Sequence, residues 1–392
     1  MSYDYGIPGP LLRFLSSCVY GDAAAYYAGL SEEGRAALKK QEKDFGLEAW
    51  SYRYLYDILP EADRTESRKI YHARQMKAMM GAQELKRLYR VLASHGLRFV
   101  PIKGAELAFR LYPDAALRVF SDWDIWFHPD DCERALDVLS EDGWKVPELY
   151  SDNHASVRRS GAHHYSPHSR GRYAVEPHFT LANFEGVGLH EMWDKTAEYP
   201  SGDGQRVLTP EMNLLMLARH AASRSYYHAQ IPKLLVDAAM VMRQEKIDFA
   251  KLRAMAAHWH LPYPGDLLAA FPEFFPADVM AQFGADPKKT AVFRKLFELR
   301  GSMGETEVVA LLLSRFEVQG QVAGGILKHI RSHSPEKIRL VYHLPKHGVW
   351  GRVVWSYVCW FWTRSRRAAA WLHRDAKLRD YARIVEDLES AR

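Results

Sequence analysis

The sequence predicts an α+β protein in which a small mixed sheet is set between helical regions. Residues 1–97, and again those after Thr209, carry apolar side chains at helical spacing. Between Arg98 and Leu208, short apolar runs alternate with helical stretches. Inside that segment Trp123, Ile125 and Phe127 alternate with Asp122, Asp124 and Trp126, the two-residue period of a strand. Four regions follow: helical 1–97, a mixed α/β core at 98–208, a helical domain at 209–327 and a basic, aromatic-rich helical tail at 328–392.

Each element has a local cause. Ser31 can cap a helix whose first turn holds Glu32 and Glu33, acids that favour the positive end of the helix dipole. Leu85, Leu88 and Leu92 lie on one face of a helix expected from about Thr65 to Ser94, which Gly96 punctuates. Phe99–Ile102 reads as a strand that ends at Lys103-Gly104, and Ala105–Leu111 has helical composition. Pro129–Asp142 is a helix with Cys132, Ala135, Leu136 and Leu139 on one side and Gly143 beyond its end. Extended stretches are expected at 144–146, 163–166 and 173–180. Thr209-Pro210 starts another helix, and two more cover Ile231–Gln244 and Asp248–Trp259. The Pro-rich segment Leu261–Pro276 breaks the run before helices resume through Ala310 into the tail.

Composition excludes several classes. With 47 % hydrophobic and 26 % charged residues, the chain is not disordered. No apolar run reaches the roughly 18–20 residues that span a bilayer, so no transmembrane segment is expected. No secretory signal is visible, and Cys18, Cys132 and Cys359 are too few and too far apart for a disulfide framework. A reducing, cytoplasmic setting is the natural expectation. The net charge of +5 is uneven: residues 328–392 carry +8 and the rest of the chain −3.

Asp122-Trp-Asp124 is the most informative triplet. On a strand, residues two apart share a face, so both carboxylates converge on one spot and can hold a hard divalent cation. An Asp-x-Asp also decorates exposed strands, so its neighbours decide. Upstream, Lys103-Gly104 joins a strand to a helix: the helix N-terminus attracts phosphate, Gly104 allows close approach, and Lys103 adds a charge. Arg118 offers a second phosphate contact. Each of these also has a bland reading, as a turn that needs glycine or as solvated basic side chains. Downstream, Glu176 in Val175-Glu-Pro-His178 supplies a third carboxylate for two-metal phosphoryl chemistry and for accepting a proton. Its bland reading is a surface acid on an edge strand, which Pro177 favours.

The ordered series Ile102-Lys-Gly, Tyr112-Pro, Arg118, Ser121-Asp-Trp-Asp-Ile, His163-His164 and Val175-Glu-Pro-His resembles the uncharacterised bacterial nucleotidyltransferases of the polymerase-β superfamily. The resemblance runs from about Arg98 to Asp248, with His220 and Asp237 in that family's follow-on helical segment. It implies a polymerase-β-type nucleotidyltransferase core with helices on one face of a short sheet. Its metal ligands and catalytic acids would be Asp122, Asp124 and Glu176, and its nucleotide contacts Lys103, Gly104, Arg118, His164 and His178. The implied reaction moves a nucleoside monophosphate from a nucleoside triphosphate such as ATP to a hydroxyl or phosphate acceptor, with Mg²⁺ (or Mn²⁺) and release of pyrophosphate. The acceptor is open between a small molecule, a peptide or protein, and RNA. A reading from a different class is a non-catalytic nucleotide- or anion-binding protein on the same fold. His154 and His168 read as surface or structural residues.

In the tail, Val353–Trp362 is a nearly unbroken apolar run followed by Arg364, Arg366 and Arg367. It suits a core helix with a solvated basic rim, an interfacial membrane anchor, or a surface for an anionic partner.

Overall fold

The computed structural model describes residues 9–147, 154–159, 163–182, 184, 186–199, 205–223 and 231–301. The helices expected around Ala310 and the basic tail from Lys328 lie outside them. Packing divides the chain into two units, one of which combines Pro8–Lys145 with His163–Asp286.

This unit begins with helices α1 (Gly9–Tyr20), α2 (Ala23–Ala28), α3 (Glu32–Phe45), α4 (Glu48–Leu55) and the long α5 (Glu61–Ser94). Ser31 caps α3 as expected, its Oγ accepting from Gly34 N at 3.1 Å. Gly96, after α5, and Gly143, after the helix Cys132–Glu141, have φ of +64° and +85°, a region that L side chains avoid. The core follows as β1 (Phe99–Ile102), α6 (Lys103–Arg110), a 3₁₀ turn at Ala115–Leu117, β2 (Trp123–Phe127) and α7 (Cys132–Glu141). Helix α8 (His154–Arg159) belongs to the other unit. Then come β3 (His168–Arg170), β4 (Tyr173–His178), α9 (Leu189–Trp193), β5 (Thr196–Glu198) and β6 (Arg206–Leu208). Helices α10 (Pro210–Ser223), α11 (Ile231–Gln244), α12 (Phe249–His258), α13 (Pro264–Leu268) and α14 (Ala277–Phe283) complete the unit. Helix α15 (Pro287–Gly301) is the other described element of the second unit. Helix α13 forms inside the stretch expected to be broken, because Pro264 takes the first turn, where its missing N–H is harmless. No helix among the described residues is long and apolar enough to cross a membrane.

The main sheet has the order β1-β2-β4-β3, antiparallel at both outer pairs and parallel between β2 and β4. A smaller sheet pairs β5 with β6. Strand β2 is buried along its whole length rather than on alternate residues. One face stacks Trp123 on Tyr173 with ring centres 4.9 Å apart; on the other, Trp126 meets Trp193 of α9 at 5.1 Å. Both faces are covered, so the polar–apolar alternation of a half-exposed strand is lost. Pro177 does not mark an edge, since β4 is internal. The β3 ladder ends at His168↔Val175, and the Pro177 carbonyl accepts from Tyr165 N at 2.8 Å, so the missing N–H breaks no β3 ladder bond.

Helix α11 is tied to the core by a buried ion pair. Asp237 is fully buried and accepts from Arg118 Nε at 2.8 Å, Arg118 Nη2 at 2.9 Å and Tyr112 Oη at 2.6 Å. Removing one partner of such a pair strands the other's charge. Asp237→Ala should therefore cost about 3–5 kcal/mol in urea unfolding, well above the effect of a surface substitution.

Glu42 of α3 is 4 % exposed, and Ser51 Oγ, at 2.7 and 2.8 Å from its two carboxyl oxygens, is its hydrogen-bond donor. Burial pushes the Glu42 carboxyl up to about 8, with Glu48 adding and Ser51 and Arg74 opposing. Between the ordinary carboxylate value of 4.5 and about 8, the unfolded chain has released a proton that the folded chain keeps. Stability contributed by this group is therefore lost as pH rises through that window. Thermal melts of Glu42→Gln against the parent should show an advantage that grows from pH 5 to pH 9; a pH-independent difference would contradict the assignment.

Candidate active site

The sheet register assembles the site. Ile102 of β1 is opposite Asp124 of β2, and Asp124 is opposite Glu176 of β4, so three strands contribute to one row. Residues opposite one another share a face. Lys103 follows Ile102 directly, and its Nζ donates to Asp124 Oδ1 at 3.0 Å. To start α6 at that point Lys103 adopts φ +56°, a left-handed conformation that costs a non-glycine residue about 1 kcal/mol or more. Gly104 is required by packing: a Cβ there would lie 2.8 Å from Phe120 Cβ. The first turn of α6 has no side-chain cap, which leaves backbone N–H groups available to an anion.

Two residues beyond Glu176, and so on the same face of β4, His178 is fully buried with Nε2 2.9 Å from Asp124 Oδ1. His164 pairs with His178 through a β-bridge and places Nε2 4.0 Å from Glu176 Oε2. The rings of His163, His164 and His178 form a cluster with centroids 4.7–5.3 Å apart. Ligand atoms of Asp124, Glu176 and His178 all lie within 4.8 Å of one another, close enough to share one cation. Asp122 sits immediately before β2, half-buried and near enough to feel the charge of Asp124, but outside that tight set.

The electrostatics are unequal. Burial would raise Asp124, but the Lys103 ammonium and the His178 hydrogen bond prevail and hold its carboxyl well below the usual range. Asp122 is raised by burial and then by the Asp124 charge. Glu176 is raised mainly by burial, with Asp124 and Asp122 adding to it against His164. Burial and the Lys103 charge lower His178 to about 4, so its ring is neutral at pH 7. A neutral ring that donates Nε2–H to Asp124 keeps Nδ1 as an acceptor, and that atom is buried without a hydrogen-bond partner among the described residues.

Arg118, expected at a phosphate, is committed internally: beyond its bonds to Asp237, its Nη1 donates to Val119 O at 2.5 Å. Sequence reasoning missed Lys233 on α11, one turn before Asp237. Burial and the Arg118 charge lower its ammonium, and among the described residues it has no ion-pair partner. The signal was one lysine within the otherwise apolar start of that helix. His168 is buried, not at the surface, its Nδ1 2.9 Å from Ser166 O.

His128, Asp130 and His190 form another group whose ligand atoms lie within 4.8 Å. Arg98 already approaches it, 3.2 Å from His128 Nε2 and 3.4 Å from Asp130 Oδ2, and that positive charge opposes a metal ion.

Adding a methyl at the crowded glycine tests the close approach. Gly104→Ala should lose about 1–3 kcal/mol in urea unfolding, as overpacking does, whereas Gly143→Ala would be strained by its φ alone, with no atom within 4 Å of the new Cβ.

Comparison with known proteins matches the family model described as "Uncharacterised nucleotidyltransferase" over residues 47–268. Nothing matches among curated proteins or solved structures. The matched stretch includes every residue of the Lys103–Asp124–Glu176 row and the Asp237 anchor, and it covers more than half of the chain. The chain belongs to the uncharacterised nucleotidyltransferase family.

Proposed function

We propose that the protein transfers a nucleoside monophosphate from a nucleoside triphosphate, ATP among them, to a hydroxyl or phosphate acceptor. The observation that carries this reading is the row of Lys103, Asp124 and Glu176 set by the β1-β2-β4 register, with Asp122 beside it. Asp122, Asp124 and Glu176 offer hard oxygen donors, and their mutual repulsion is what a divalent cation such as Mg²⁺ relieves, so the donor set fits the ion. When bound, such an ion polarises the phosphate and neutralises charge that develops during transfer.

The chain's own groups have separable roles. Lys103 and the open first turn of α6, starting at Gly104, would bind phosphate oxygens, with Arg118 and Lys233 adding positive charge. Glu176, raised by burial, suits a base that takes the acceptor's proton as the acceptor oxygen attacks the α-phosphorus. The α–β bridging P–O bond breaks, and pyrophosphate departs with its electron pair. His164 and His178 would orient the carboxylates through the contacts above.

The test is calorimetric nucleotide binding with Mg²⁺, together with pyrophosphate release across acceptor classes. Asp122→Asn with Asp124→Asn should reduce release by about 100-fold or more. Unchanged binding and release in that variant would show the mechanism to be wrong.

A further inference from the structure

Away from the carboxylate row, the N-terminal helices enclose a cavity of about 670 Å³. That is within the roughly 300–1,000 Å³ range of small-molecule sites. Its apolar wall includes Tyr27, Leu30, Leu38, Leu59, Pro60 and Ile70, from α2, α5 and the segments beside them and from α3. The Glu42 carboxyl and the Ser51 hydroxyl, both buried, also line it.

The charges around the cavity are paired, with one buried exception. Asp63 and Glu66 share Lys39 at 2.6 and 3.0 Å, and Glu48 holds Arg74 at 2.6 Å. Arg35 donates to Ala28 O at 3.2 Å and lies over the Tyr27 ring, 5.0 Å from its centre. Lys43 and Glu32 are exposed to solvent. Glu42 is buried and makes no direct ion pair among the described residues, Arg74 acting on it only through space. A buried carboxyl that draws only on the Ser51 hydroxyl and backbone and on the through-space charge of Arg74 is under-compensated, and a cation placed directly beside it would gain strongly from the low dielectric. At pH 7 this carboxyl, pushed up to about 8, largely keeps its proton; a cation beside it draws that proton off and completes an ion pair, whereas an anion or a neutral molecule gains no such pair.

We propose that this cavity binds an apolar organic cation, a primary amine whose ammonium pairs with Glu42 while its hydrocarbon body lies on Leu38, Leu59 and Ile70. Ser51 keeps the carboxylate oriented by donating to it. The site is separate from nucleotidyl transfer and needs neither nucleotide nor divalent metal.

The experiment uses the full chain without nucleotide or metal and titrates hexylamine, 1-hexanol and hexanoate by calorimetry at pH 7. Hexylamine should bind at least about tenfold more tightly than 1-hexanol, and hexanoate no more tightly than 1-hexanol. Glu42→Gln should weaken hexylamine at least about tenfold and leave 1-hexanol unchanged, because it removes the charge and keeps the shape. Ile70→Trp, which fills the cavity, should weaken both ligands in protein whose circular dichroism matches the parent. Equal hexylamine affinity in the parent and Glu42→Gln, tightest binding by hexanoate, or binding of none of the three would overturn the proposal.

Discussion

The bond from Lys103 to Asp124 is the constraint on which the site depends. A carboxylate in the middle strand of a covered sheet is stable only with a cation and a hydrogen bond beside it. Lys103 supplies the first and His178 the second. To reach Asp124, Lys103 must follow directly after the β1 residue opposite it, which locks the β1–β2 register at Ile102↔Asp124. It must also turn left-handed before α6 begins, and Gly104 must pass against Phe120 with no room for a side chain. A one-residue slip of β1 would turn its side chains to the other face and leave Asp124 buried without its cation.

That arrangement sorts the three carboxylates by role. Asp124 carries a secure negative charge because a fixed ammonium faces it. Asp122 and Glu176 share its neighbourhood with no lysine or arginine ion pair among the described residues, and burial and repulsion raise them. The result is one permanent anion beside two groups that respond to whatever positive charge enters. Burial keeps the rings of His163 and His178 neutral, so these two do not neutralise the carboxylates beside them.

The helices before the sheet are part of this machinery. Trp50 of α4 donates through Nε1 to Leu117 O at 3.1 Å, and Tyr71 of α5 donates to Asp114. Asp114 in turn accepts from Ala116 N at 2.8 Å and starts the 3₁₀ turn. This brace delivers Arg118 to Asp237, so the N-terminal helices, the sheet and α11 meet at one buried salt bridge. Composition and periodicity do not reveal such a role, because Trp50 and Tyr71 read as ordinary apolar helix residues.

Much of the local structure was legible in the chain. The Ser31 cap, the Gly96 and Gly143 stops, the bounds of α11 and the strands around Asp124 and Glu176 follow from short-range rules: capping, allowed φ and spacing. Residue types and order also pointed to Lys103, Asp122, Asp124 and Glu176, whereas His164 and His178 came in only with the family resemblance. Pairing across long separations was not legible. Nothing near Arg118 in sequence announces Asp237, and nothing near Pro177 shows that β4 is internal. Lys233 and the Glu42 cavity depend likewise on segments that meet only after folding. The sequence by itself determined which groups were available and which elements would carry them. Only the tertiary structure decided which charges found partners and which, among the described residues, did not, because burial and Coulomb energy depend on distance through space and not along the chain.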